Sequence, residues 1–176
     1  MKSQTEATPP RPGTRRPARF TDMPVWLLLT LVAIGLPRTV LADLDIVEPE
    51  SGLLYYVLAL APFAAWLAVA ILRRTSRPIM DFTVLGAAYG LSLAAVHHLL
   101  WNADAGYGNR PPASAVEFAQ NFGAGLQGIA LHGYTVMIGM MIGIGSGLVA
   151  ALVALAATVV RGTRRTARHR EKPQAR

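Results

Sequence analysis

Residues 53–77 read LLYYVLALAPFAAWLAVAILRRTSR. The first twenty are apolar or aromatic, and three arginines follow within the next five positions. At 1.5 Å of rise per residue, twenty helical residues cover about 30 Å, the thickness of a bilayer's hydrocarbon core. A helix of this length that ends on arginine is written as a membrane span stopped at its cytoplasmic face. Tyr55 and Tyr56 mark the opposite interface, and Pro62 is expected to kink the span and free the carbonyl of Leu58.

Working outward, the remaining basic residues repeat the pattern. Residues 1–22 hold five Lys/Arg and residues 161–176 hold seven, while only Arg38 and Arg110 fall outside the three blocks. The segments between blocks are apolar: Met23–Leu41, Ile79–Trp101 and the run 129–160. The connection at 43–52 carries Asp43, Asp45, Glu48 and Glu50 and no base. The fold class predicted is an all-α integral membrane bundle of four spans, about 23–41, 53–72, 79–101 and 129–160, with both termini in the cytoplasm. The first stretch has a second reading. With the basic flank Arg15–Arg19 and the pattern Val40-Leu41-Ala42 before Asp43, it also resembles a cleavable signal.

Residues 1–22, which include Pro9-Pro10-Arg11-Pro12-Gly13, read as a disordered basic tail, and 161–176 as a basic cytoplasmic tail. Residues 102–113 are a loop by their turn chemistry: Asn102, Gly106, Gly108, Asn109 and Pro111-Pro112. Ser114-x-x-Glu117 matches a capping box. It opens an amphipathic helix at about 115–127 whose stripe is Phe118, Phe122, Leu126 and Ile129. This helix is expected on the outer surface. The last apolar run, at 32 residues, is about 48 Å long as a helix, so it tilts or projects outward.

Composition narrows the function classes. Hydrophobic residues make up 52% and charged residues 15%, and the net charge is +7. The basic residues sit where topogenic charge belongs, with no interleaved aromatics, which argues against nucleic acid and for anionic lipid headgroups at both tails. Cysteine is absent, which excludes disulfides, thiolate metal sites, iron–sulfur clusters and cysteine nucleophiles. Fifteen arginines against two lysines point to a GC-rich bacterial genome and hence a bacterial inner membrane.

Two constellations stand out. Arg38, the acidic connection and His97, His98 and His132 all fall at the outer end of the predicted bundle. His97, His98 and His132, with Asp43 and Asp45, are candidate ligands for a divalent metal. Adjacent helical residues point about 100° apart, which separates His97 from His98. One of them facing His132 is the only arrangement for a haem. The alternative is interfacial histidines bonded to water and loop carbonyls. Asp81 suits the first turn of its helix, where a carboxylate favours the dipole.

The second constellation is small residues at four-residue spacing. Gly86, Gly90 and Ala94 line one span, and Gly139, Gly143, Gly147 and Ala151 line another. Such rows let helix backbones approach closely in lipid, between the two spans or against another chain or a second copy. Gly143-Ile144-Gly145-Ser146-Gly147 has isoleucine at 144, where the rhomboid motif G-x-S-G requires glycine two positions before the serine, so no intramembrane protease is read there. The function expected is a small non-enzymatic accessory or assembly subunit that packs through glycine-rich faces. The alternatives are a small transporter or channel component using the outer His/carboxylate cluster, and a haem or quinone redox subunit.

Overall fold

The computed structural model describes residues 21–47 and 52–170. These are helices and loops, with no strand among the described residues. The helices are α1 (Val25–Asp43), α2 (Gly52–Leu72), α3 (Pro78–Leu99), α4 (Ala113–Gln120) and α5 (Gln127–Arg170), with a 3-10 turn at Ala124–Leu126 before α5. Four of them (α1, α2, α3 and α5) are long and apolar enough to cross a membrane, as in a multi-pass helical bundle. Two ends are distinguished below by their residues: the histidine end, with His97 and Asp43, and the arginine end, with Arg73–Arg77.

α3 and α5 form the centre as an antiparallel pair and make the most extensive contact in the bundle. Their backbones touch. A Cβ added at Gly86 would lie 2.3 Å from the carbonyl oxygen of Gly143, and one added at Gly143 would lie 2.2 Å from that of Gly86. Gly90 meets the Gly139 carbonyl, Gly147 meets the Phe82 carbonyl, and Ala94 lies beside Gly139. Ala151 is buried farther along α5.

α1 packs on α2 and α3, and α2 also reaches α5. The core they enclose includes Leu31 and Val32 of α1, Trp66 of α2, Phe82, Leu85, Tyr89 and Leu93 of α3, and Ala150 and Ala154 of α5. Its polar tips are satisfied, because an unpaired donor there costs more than a hydrogen bond gains. The Trp66 indole donates to the carbonyl of Leu31 at 3.2 Å, and the Tyr89 hydroxyl to that of Gly35 at 3.4 Å. α2 runs as one helix through Pro62. Most of its large apolar side chains, including Leu53, Leu60 and Leu72, face outward, as lipid contact requires.

Pro78 begins α3 at its first position, where the missing N–H costs nothing. Asp81 in its first turn is fully buried. It accepts from the backbone amide of Asp22 at 2.8 Å and from the Thr75 hydroxyl. Asp22 in turn accepts from the amide and hydroxyl of Ser76, and its carbonyl accepts from Arg73.

Several expectations are corrected. Thr21 and Asp22, read as part of a disordered tail, are docked at the arginine end; residues 1–20 lie outside the described residues. α5 continues as helix to Arg170, into the basic stretch that begins at 161. At 44 residues it is about 66 Å long, twice the length of α3. The amphipathic helix ends at Gln120 instead of running to 127. Its cap is Pro112 with no side-chain hydrogen bond, and the Ser114 hydroxyl instead accepts from Tyr134 at 2.8 Å. Its buried face is Ala115 and Ala119, while Phe122, Leu126 and Ile129 are exposed.

Candidate functional site

α1 extends past the expected span end at Leu41 and finishes at Asp43. Its C-terminus closes as a Schellman motif. The amide of Ile46 donates to Leu41 at 2.9 Å and that of Asp45 to Ala42 at 3.1 Å. Glycine is usual at the left-handed position of this motif; here Asp45 takes it, with φ of 56°. That conformation costs a non-glycine residue about 1 kcal/mol or more. It also aims the Asp45 carboxylate at Arg110, 3.1 Å away.

Asp43 in the last turn of α1 faces the wrong end of the helix dipole for a carboxylate, and it is only 4% exposed. His97 of α3 compensates. Its Nδ1 lies 2.7 Å from the Asp43 carboxylate. Against an ionised carboxylate Nδ1 carries the proton, which leaves Nε2 as the second functional nitrogen. The amide of Ala105 also donates to the Asp43 carbonyl at 3.2 Å, tying the 100–112 loop to the end of α1.

That loop is a compact cap. Its Gly108 amide donates to Trp101 at 2.7 Å, and Asn109 reaches back to the carbonyls of Asn102 and Ala103. A side chain at Gly106 would strike the Leu100 carbonyl, and one at Gly108 the Trp101 ring. The packing brings Tyr107 to 4.7 Å from the His97 ring and 6.3 Å from Trp101. Burial raises the Tyr107 hydroxyl above the usual phenol range, so it remains a neutral donor.

These groups surround a cavity of about 280 Å³ between α1, α2, α3 and α5, closed above by the loop. Leu93, Ile138 and Ile142 supply apolar wall, while Arg38, Asp43, His97, Tyr107 and Arg110 supply polar groups. Arg38 crosses to α2, where it donates to the Tyr55 hydroxyl at 2.9 Å and lies over that ring. Thr39, beside it, is 4% exposed, and its hydroxyl has no hydrogen-bond partner. A buried hydroxyl without a partner costs about 1–3 kcal/mol. Thr39 is one of the residues around the cavity.

The sequence candidates divide. His97 and Asp43 come together; Asp45 goes to Arg110; Glu48 and Glu50 lie outside the described residues. His98 turns toward α5, with its Nδ1 bonded to the Ala94 carbonyl at 2.7 Å. Its ring lies 4.9 Å from that of His132, which stacks on Trp101 at 3.8 Å. His98 and His132 thus belong to an aromatic stack beside the loop, separate from the His97–Asp43 pair. Among the described residues no group of three or more His, Asp or Glu is placed to hold a metal ion. Sequence reading passed over Thr39, Tyr107 and Arg110 as site residues. The available signal was Arg110 itself, the one base in a connection where topology calls for none.

No known protein family, no curated protein and no solved structure matches this chain.

Proposed function

We propose that this chain is a four-span membrane protein that binds a small anionic solute in the cavity at its histidine end, as a component of a transport or sensing system. The basic blocks favour both termini in the cytoplasm of a bacterial cell, so the cavity lies at the outer end of the bundle, beneath the 100–112 loop. The observation that carries the reading is the Arg38 guanidinium, which has no carboxylate partner among the described residues, on a cavity whose walls include Leu93, Ile138 and Ile142. Ionisable side chains are costly at helix ends buried in a membrane protein, and they mark ligand paths there.

The sign of the charge selects the ligand. Of the two guanidiniums that line the cavity, Arg110 is paired with Asp45, and Asp43 is paired with His97, so the charge left without an acidic partner among the described residues is that of Arg38. This arrangement repels a divalent cation and attracts an oxyanion, for which arginine is the preferred partner. The volume holds about nine water-sized groups, which fits a small organic carboxylate or phosphate. The accessory-subunit reading loses its proposed surface, because Gly86, Gly90, Gly139, Gly143 and Gly147 face one another within the chain.

The test is thermal unfolding of the purified protein against small carboxylates, phosphates, amines and divalent cations. Anions are expected to raise the midpoint, and Arg38→Gln to weaken their binding about tenfold or more, the loss of one charge-assisted pair. Stabilisation by divalent cations, unchanged in Arg38→Gln, would restore the metal reading and sink this one.

A further inference from the structure

The arginine end carries a second pocket that the solute site does not use. It is about 230 Å³ and is lined by Arg74 and Thr75 of the α2–α3 connection and by Thr158, Arg161 and Gly162 of α5. Arg161 is anchored by its own helix, with Nε donating to the Ala157 carbonyl at 2.8 Å. That bond fixes the guanidinium plane and leaves Nη2 buried without a partner. Arg74 is exposed on the facing side.

The hydroxyls are already committed, Thr75 to Asp81 and Thr158 to the Leu155 carbonyl, so the pocket's offer is cationic. Among the described residues no carboxylate lines it. The Asp81 carboxylate accepts from Thr75, and that of Asp22 from Ser76. Two arginines on one pocket form an oxyanion site, and the planar guanidinium fits phosphate in particular.

The pocket does not end in solvent on all sides. Beside it lies a largely apolar cleft of about 560 Å³, lined by Ser76 and Arg77 of the connection, by Pro78, Ile79, Met80 and Thr83 of α3 and by Leu155 of α5. Leu155 and Thr158 are three residues apart on one face of α5, and Thr75 and Ser76 are neighbours in the connection, so cleft and pocket adjoin. Phosphate-binding charge at the end of the spans, continuous with an apolar cleft along the first turn of α3, has the two-part chemistry of a phospholipid.

We infer that Arg74 and Arg161 bind the phosphate of one anionic phospholipid whose acyl chain lies in the Met80–Leu155 cleft. Basic pockets between spans on the cytoplasmic side are suited to such headgroups. The inference rests on the membrane reading but not on the solute cavity at the other end.

Native mass spectrometry in mild detergent tests it, with phosphatidylglycerol, phosphatidylcholine and inorganic phosphate as probes. One phosphatidylglycerol is expected to remain bound in preference to phosphatidylcholine. The double variant Arg74→Gln/Arg161→Gln should lose it about tenfold, and Arg38→Gln should keep it. Met80→Trp, which fills the cleft and leaves the arginines in place, should also lose the lipid, with the unfolding midpoint reporting that the fold is intact. Equal retention of both lipids, or retention undiminished in Met80→Trp, overturns the proposal. Inorganic phosphate that binds at millimolar concentration and survives Met80→Trp assigns the pocket to soluble phosphate, and overturns it as well.

Discussion

Asp22 shows what one residue can fasten. Its carboxylate lies below the usual value of 3.8, chiefly because the Ser76 hydroxyl and amide both donate to it, with Arg77 and Arg73 adding to the effect. A depressed carboxylate contributes stability that is present above its unfolded value and is lost as pH falls through the folded one. The latch is therefore intact at neutral pH and releases only below about pH 3.8. The amide resonance of Ser76 should titrate in that acidic range, and Asp22→Asn should abolish the titration; a titration that persists in the variant would show that another group controls Ser76. None of this was legible in the sequence, where Asp22 closes a Pro- and Arg-rich stretch. The partner that orders it lies 54 positions away, and no local pattern reports a contact at that separation. His97 and Asp43 were legible as residue types at one depth, because topology alone stacks them there. Their pairing was not, because it depends on α1 running two residues past its apolar stretch.

Among the elements, the glycines of α5 divide into two kinds. Gly143 sits against the Gly86 carbonyl and the Gly90 backbone, whereas a Cβ at Gly145 meets nothing within 4 Å. In lipid, close backbone contact supplies the dispersion energy that holds two helices together. Gly143→Ala must push the helices apart and should destabilise by about 1–3 kcal/mol. Gly145→Ala should be neutral or slightly stabilising, since alanine is the better helix former. Unfolding midpoints in detergent measure both, and equal effects at the two positions would show that the α3–α5 contact does not depend on Gly143. The long elements were readable because twenty apolar residues bounded by arginine have few alternatives in water or lipid. α4 was misread because Phe118 and Phe122 outweigh alanine in any hydrophobic stripe. In the fold the small residues Ala115 and Ala119 are the ones that fit against α5, and the helix stops before Gly123, in a segment that ends in the 3-10 turn.

For the whole molecule, the distribution of charge makes a prediction about sidedness. The native chain has no cysteine, so single substitutions label without background. In intact cells an impermeant thiol reagent should modify Ser114→Cys, at the start of α4, and spare Ser76→Cys, between Arg73 and Arg77. Labelling of Ser76→Cys in intact cells would invert the bundle and place the solute cavity in the cytoplasm. The order of spans and the bias of charge came directly from composition along the chain, because both are sums over many residues. The cavity did not, because it is defined by the space left between four helices and a loop.

The contact between α3 and α5 also decides where nothing can cross. With the Gly86 and Gly143 carbonyls pressed against the opposing backbone, that seam has no room for a water molecule, let alone a hydrated ion. The middle of the molecule is therefore closed between these two helices. The open space lies beside that seam, in the cavity that Arg38 and Thr39 of α1 share with Gly139 and Ile142 of α5.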